Sequence, residues 1–542
     1  MTRFHRRDLL KLPGMAVGAG LISVPGCSLS PAALTREPRR WGKGFEGQRI
    51  ADRGDGTFLN PVFAGDHPDP ALIRDGDTYY VTFSSFEAYP GLLIYQSHDL
   101  VNWQPLKPAL TSYIGSVWAP DLVRHDGRFY IYIPARTDTY KSIYVIHADR
   151  IEGPWSEPVD LMLPDHIDPG HIVGEDGKRY LFLSNGDLIQ LSDDGLSTVG
   201  NVSHVYDPWR YPDSWDVECF CPEGPKMLRR GDWFYMLTAV GGTAGPPTGH
   251  MVISARSKSV NGPWEHAPNN PQVRTLSRGE QWWSRGHATL IDAPDGSWWL
   301  MSHGYENGYW TLGRQALLEP VRWRDDGWWE SEGGDLSAAF NIPAAPGAPA
   351  LQHGMALSDD FTSGTLGNQW AFFRPGRHEH DRVRLSGGRL HLEGSGDYPS
   401  NSSPLSFKAG DLAYEVEAVI ERETGCRAGL LAFYDDTLYA GLAFDDEGLL
   451  FHRYGMERRR NGEVAPGTHT LHIRMKNDQH VLTFYYRTSA SAPWTKMDVQ
   501  MEVSGYHHNV AYGFLSLKPA IYAAGRGAAH FDRVDYRALP YL

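Results

Sequence analysis

The sequence predicts an all-β chain, a five-bladed β-propeller followed by a two-sheet β-sandwich. Three observations carry that reading. Turn-plus-aromatic landmarks recur through the first half: "DGDTYY" ending at Tyr80, "DGRFY" at Tyr130, "DGKRY" at Tyr180, "RGDWFY" at Tyr235 and "DGSWW" at Trp299, at intervals of 50, 50, 55 and 64 residues. Each couples a hairpin turn to a strand rich in aromatic and β-branched residues. Helical periodicity is almost absent from this region. Beyond residue 357 the chain alternates instead, in segments such as "LAYEVEAVIE", "HTLHIRM" and "HVLTFYYRT". One wet and one dry face per strand is what two packed antiparallel sheets require.

In chain order, residues 1–26 read as an export signal. Arg6-Arg7 precede Leu9 and Leu10 and the small-residue apolar stretch "LPGMAVGAGLISVPG", the twin-arginine pattern. "VPGC" sets Cys27 where a lipoprotein signal peptidase would cut and a lipid be attached, with simple cleavage nearby as the alternative. The stretch is too short and too Gly-rich for a permanent span. The expectation is therefore an exported protein, periplasmic or extracellular, whose one link to a membrane would be a lipid on Cys27. Residues 27–56 read as a tether.

Residues 57–330 hold the five repeats, each long enough for about four short strands, which points to radial repetition. A second landmark follows most of the first: Trp103 in "SHDLVNW", Trp155 and Trp264 in "GPW", Trp323 in "EPVRW". The third unit has "SDDGLST" and no Trp at that place. Residues 331–357 are rich in Ala, Pro and Gly and read as a linker. Residues 358–542 form the sandwich.

Composition narrows the function. With 51 Lys+Arg against 65 Asp+Glu the formal charge is −14, and there is no basic stripe, so nucleic acid is not an expected partner. Exposed aromatics and acids in an exported protein suit carbohydrate instead. Besides Cys27 there are only Cys219, Cys221 and Cys426, too few for a disulfide framework and without zinc spacing. They are expected to be buried small hydrophobes.

The chemistry stands at the strand entrances. Walking back from each turn landmark to the strand before it gives Asp69 ("PDPALIRDG"), Asp121 ("APDLVRHDG"), Asp168 ("IDPGHIVGEDG"), Glu223 ("PEGPKMLRRG") and His287 ("GHATLIDAPDG"). In a propeller the first strand of each blade lines the channel, so these residues converge at one mouth. Pro70, Pro169 and Pro222 stiffen three of them. An isolated Asp beside Pro is usually a turn former. Clustered carboxylates, however, repel one another, and holding them together costs stability unless the site uses them. Glycoside hydrolysis uses them: one carboxyl protonates the leaving oxygen, one activates water or attacks the sugar, and a third can raise the acid's pKa. A calcium cage is the competing use. Asp216 and Glu218, close by in "SWDVECFCPEGP", lack the offset from the following turn that Glu223 shares with the other blades.

At these residues the sequence resembles glycoside hydrolase family 43, from "NPVFAGDHPDPALI" to "GRQALLEPVRW" and on into a C-terminal concanavalin-like two-sheet sandwich. The resemblance implies that Asp69 in "HPDP" is the general base, Asp168 in "IDP" the pKa modulator and Glu223 in "PEGP" the general acid of an inverting enzyme. It further implies that Phe86 in "SSFE" is an apolar wall and that Trp118 in "WAPD" lies beside the terminal sugar. His287 in "GHATL" would sit under the ring and Arg314 in "LGRQ" would hold sugar hydroxyls. Asp121 has the alternative role of pinning the loop that carries Trp118. No cofactor is required, although in some relatives the residue matching His287 helps hold a structural Ca2+ in the channel. The implied activity is exo-acting release of xylose from β-xylosides and xylan or arabinoxylan fragments. An α-L-arabinofuranosidase, or an enzyme doing both, is the alternative, and a non-catalytic surface sugar-binding protein is the alternative of a different class.

Overall fold

The computed structural model describes residues 41–540 apart from 346, 350 and 377; the export signal and Cys27 lie outside the described residues. The repeats are five antiparallel blades. Their innermost strands are Ala71–Asp75, Asp121–His125, Gly170–Val173, Glu223–Arg230 and Trp282–Asp292, and each blade then runs outward strand by strand. The innermost strands touch in the order I, II, III, IV, V and back to I, so the ring is closed. The turn glycines Gly76, Gly127, Gly177, Gly231 and Gly296 all lie at φ between +61° and +83°, the left-handed region that favours glycine.

The landmark aromatics explain the repeat. Five apolar clusters fill the five seams between blades. Tyr80, Tyr130, Tyr180, Tyr235 and Trp299 each pack into the seam with the following blade. The second-landmark tryptophans Trp103, Trp155, Trp264 and Trp323 pack into the seam with the preceding one. Blade III lacks its Trp, and Leu196 of "SDDGLST" packs into the II–III seam instead. A wedge-shaped gap between twisted sheets takes bulky side chains, and these burials hold the ring together.

The ring is closed covalently out of register. Residues 60–67 run along the third strand of blade V, Arg314–Trp323, before blade I begins. Asn60 imitates a strand residue there, its Oδ1 accepting from Leu318 N at 2.8 Å and its Nδ2 donating to Leu318 O at 2.9 Å. His67 N donates to Arg314 O at 2.8 Å, which fixes the approach to Asp69.

The second half is a sandwich of an eight-stranded and a seven-stranded sheet around one apolar core. One of those eight strands, Ala88–Tyr89, comes from the propeller and pairs with Ala371–Phe373. The tether and linker are more than spacers. Phe340–Asn341 pairs with Thr57–Phe58. The Arg49 guanidinium reaches Glu306 of blade V at 2.7 Å and the Gly410 carbonyl of the sandwich at 2.7 Å.

The cysteine expectation is corrected in part. Cys426 is free and buried, but Cys219 and Cys221 form a disulfide, and Cys221 is exposed. The segment before Glu223 is not a strand, and Cys221 has φ +36°, so strand alternation does not govern where these side chains point.

Replacing Asn60 by Ala is expected to lower the unfolding temperature, at a cost of about 2–4 kcal/mol, because two buried backbone groups at the ring seam lose their partners. Thermal unfolding of the two proteins side by side checks this.

Candidate active site

Four of the five strand entrances meet at one mouth of the channel, and backbone geometry separates them from the fifth. Asp69, Asp168 and His287 have φ of +58°, +55° and +45°, and Gly224, beside Glu223, has +61°. A non-glycine residue in this region carries strain, which persists where the surroundings enforce it. Here it turns the side chains of three blades toward one another. Asp121 has no such twist and faces elsewhere. Its Oδ1 accepts from Lys226 Nζ at 2.7 Å and its Oδ2 from His171 N at 2.8 Å, so it ties blades II, III and IV together.

His287 stands between the acids. Its Nδ1 lies 3.3 Å from Asp69 Oδ1, and its Nε2 lies 3.4 Å from Glu223 Oε1 and 3.8 Å from Asp168 Oδ2. Gly224 is required for this approach, since a Cβ there would come within 2.8 Å of the His287 ring. Asp69 is gripped further: Arg314 Nη1 donates to Oδ1 at 2.9 Å and Ser84 Oγ to Oδ2 at 2.5 Å. Its backbone N–H lies 3.0 Å from His303 Nδ1, and the same nitrogen is 3.1 Å from Asp69 Oδ1. The Asp168 carboxylate accepts from Gly224 N at 3.0 Å, so the peptide following Glu223 is bonded to its neighbouring acid.

The charges divide accordingly. Burial alone would lower His287, but Asp69, Glu223 and Asp168 overrule it and raise it to about 9, so it is an imidazolium at neutral pH. Burial would raise Asp69, but Arg314 and His287 hold it well below the usual carboxylate range. Burial lifts Asp168 to about 7, His287 opposing and the charges of Glu223 and Asp69 adding. One site thus holds a firmly ionised carboxylate, a cation, and an acid that keeps its proton to near neutrality.

Sequence reasoning missed several neighbours. His250 and His303 stack against His287 with ring centroids 5.3–5.5 Å apart, and burial keeps both neutral. His250 fits only because Gly286 lacks a side chain, as a Cβ there would fall 1.8 Å from its ring. Ser84 was in sight within "SSFE", two positions before Phe86. Phe514 comes from the sandwich: it stacks on Phe86 at 6.2 Å, and the Arg314 guanidinium lies 5.2 Å from its ring and 5.5 Å from that of Phe86. Asn509 of the same sandwich loop accepts from Gly245 N at 3.0 Å. The sandwich therefore walls one side of the mouth. Trp118 follows Val117, which pairs with Phe86, and makes no hydrogen bond or ring contact with the acids among the described residues. Glu218 caps the loop at Ala244 N, and Asp216 faces Arg278, so neither joins the cluster.

The calcium expectation meets a poor donor set. Glu223, His250 and His287 bring one ligand atom each within 4.8 Å of one another. Calcium takes six to eight oxygens, whereas two of these three donors are imidazoles.

An ionised carboxylate, a second acid with a raised pKa and a third, grouped around one imidazolium in the mouth of a propeller, define a glycoside hydrolase. Comparison with known proteins agrees. Residues 58–329 match the glycosyl hydrolases family 43 model, and residues 358–537 match the β-xylosidase C-terminal concanavalin A-like domain. The chain belongs to glycoside hydrolase family 43. It is 29% identical over 527 residues to a non-reducing end α-L-arabinofuranosidase of Bacteroides ovatus, covering 89% of this chain and 95% of that one. It is 30% identical over 428 residues to a xylan 1,3-β-xylosidase of a Vibrio species, covering 70% and 77%. Its fold superposes on a xylan β-1,4-xylosidase of Bacillus halodurans with a TM-score of 0.77 at 26% identity, covering 88% of this chain and 99% of that one.

A raised pKa on His287 gives stability that is complete below about pH 6.5 and is lost as pH rises through about 9. The stability of the wild type is expected to fall across that window by up to about 3 kcal/mol, lowering its unfolding temperature, and a His287→Gln variant is expected to lack this slope. Melting curves at half-unit pH steps check it.

Proposed function

We propose that the protein is an exo-acting, inverting β-xylosidase that releases terminal xylose from β-xylosides and xylo-oligosaccharides. The observation that carries the reading is the division of charge around His287: Asp69 anionic, Asp168 holding a proton into the neutral range. Asp69 is the general base. Its oxygens are fixed by Arg314 and Ser84, and a carboxylate has lone pairs left to take a proton from water. Glu223 is the general acid, placed at the open side of the cluster, with its side chain 22% exposed where those of Asp69 and Asp168 are 4% and 5%. The proton that the departing oxygen needs comes from Glu223, with Asp168 beside it as the modulator. As water adds to the anomeric carbon on the opposite face, Asp69 takes the proton that this water loses, while the acid's own proton leaves on the departing alcohol.

Arg314 uses one donor on Asp69 and offers the rest to sugar hydroxyls, while Phe86, Phe514 and Trp118 form the apolar side of the pocket. A wall contributed by a second domain favours attack on chain ends. The xylosidase names of the Vibrio and Bacillus halodurans proteins support xylose as the sugar. The Bacteroides ovatus relative, matched over nearly its whole length, keeps α-L-arabinofuranose as the second reading. No metal takes part in this scheme, since His287 supplies the positive charge among the acids. The twin-arginine pattern and Cys27 support export to the periplasm or beyond, with a lipid on Cys27 as the membrane link, and xylan or arabinoxylan fragments as the material met there.

Glu223→Gln is expected to lower kcat on xylobiose by about 10²–10⁴-fold and to lower it far less on an aryl β-xyloside whose leaving group needs no proton. Asp69→Asn is expected to lose both activities. Steady-state kinetics on the two substrates checks this, and equal losses in Glu223→Gln would remove Glu223 from the acid's role. On xylobiose kcat is expected to fall as pH rises through about 7, where Asp168 gives up its proton. α-Xylose as the first product, followed by NMR, tests inversion. An aryl α-L-arabinofuranoside hydrolysed faster than the xyloside would promote the second reading. Activity lost to a chelator would contradict the metal-free scheme.

A further inference from the structure

A partly open pocket of about 130 Å³ lies between blade I and the sandwich, with Phe63, Leu92, Trp370 and Phe407 among its apolar walls. Two lysines line it, Lys408 and Lys518, both from the sandwich. Lys518 is only 8% exposed, yet neither ammonium makes a hydrogen bond or an ion pair with another described residue. Asp66 is the carboxylate whose charge both feel, and Glu87 acts on Lys518 as well, but neither comes within ion-pair distance. Burial lowers both ammoniums, Lys408 to about 8. Each ammonium carries three N–H donors, and no protein acceptor among the described residues meets them; Lys408 is half-buried. The remaining polar wall includes the Ser85 hydroxyl, whose Oγ is buried and unpartnered, the Gln369 amide, and the Asp411 carboxylate, which already accepts from Arg49 N and the Tyr536 hydroxyl.

We propose that this cavity is a binding site for a small oxyanion, a carboxylate or inorganic phosphate, held between the ammoniums of Lys408 and Lys518. An oxyanion supplies both the acceptors and the negative charge that the two lysines lack, and charge-assisted bonds of this kind are the strong ones. The volume is well below the roughly 300 Å³ at which pockets for larger organic ligands begin, so the occupant is small. The site touches the catalytic cluster through two links. Ser84, which donates to Asp69 Oδ2, lines the cavity, and Asp66 accepts from Arg314 N at 3.3 Å. An occupant therefore bears on the groups that position Asp69.

The test uses the full exported chain without substrate, so that its outcome is independent of the proposed activity. Unfolding temperature and calorimetric heat are followed while inorganic phosphate or acetate replaces chloride at constant ionic strength. A rise of several degrees with saturable heat is expected for at least one of the two. Phosphate alone acting would identify a phosphate site, and acetate alone a carboxylate site. Lys408→Met and Lys518→Met remove an unmatched charge at similar volume, so each is expected to fold, to melt no lower than wild type in chloride, and to lose the response. Selenate soaked into wild-type crystals is expected to give an anomalous peak between the two Nζ atoms, a readout that needs no variant. No response to either anion, a response unchanged in both variants, or a cavity without selenate would overturn the proposal.

Discussion

Three buried or half-buried carboxylates from three blades share one channel mouth because a cation stands among them. His287 lies within 3.8 Å of Asp69, Glu223 and Asp168, and without it their mutual repulsion and desolvation would work against closing the ring at that end. The imidazolium also sorts the acids. It joins Arg314 in keeping Asp69 ionised, while it only partly offsets the burial that keeps Asp168 protonated. Glycine does the steric work of bringing it in, at Gly224 against the His287 ring and at Gly286 against His250 behind it. The acid–base asymmetry that glycoside hydrolysis needs is thus a consequence of how one charged ring is packed.

The fold delivers that packing through its seams. Each blade sends one aromatic into the following seam and, except in blade III, a tryptophan into the preceding one. Because the segment before blade I is bonded along blade V, Arg314 of the last blade arrives beside Asp69 of the first. The sandwich then completes the mouth with Phe514, and the strap through Arg49 joins it to blade V at Glu306. Catalytic cluster, ring closure and domain contact are therefore one mechanical unit.

Much of this was legible in the chain itself. The turn glycines and their aromatics declare the blades, because a seam repeated five times leaves a period in the sequence. The entrances "HPDP", "IDPG", "PEGP" and "GHATL" declare the acids and His287 for the same reason. What the sequence does not carry is conformation and long-range contact. Nothing in "APD" reveals that Asp121 lacks the left-handed twist of Asp69 and so faces Lys226. His303 reaches Asp69 through cross-strand register in blade V, opposite Gly286, and Phe514 lies hundreds of residues from Phe86. Cys219 and Cys221 look like alternating strand residues, and only the irregular backbone before Glu223 turns them into a pair.

The protonation of His287 is the point on which the account turns, and neutron diffraction from a deuterium-exchanged crystal at pH 7.5 reads it directly. The account predicts deuterium on both Nδ1 and Nε2 of His287, on one nitrogen only of His303, and none on the carboxylate of Asp69. A His287 carrying deuterium on one nitrogen only, or a protonated Asp69, would contradict it.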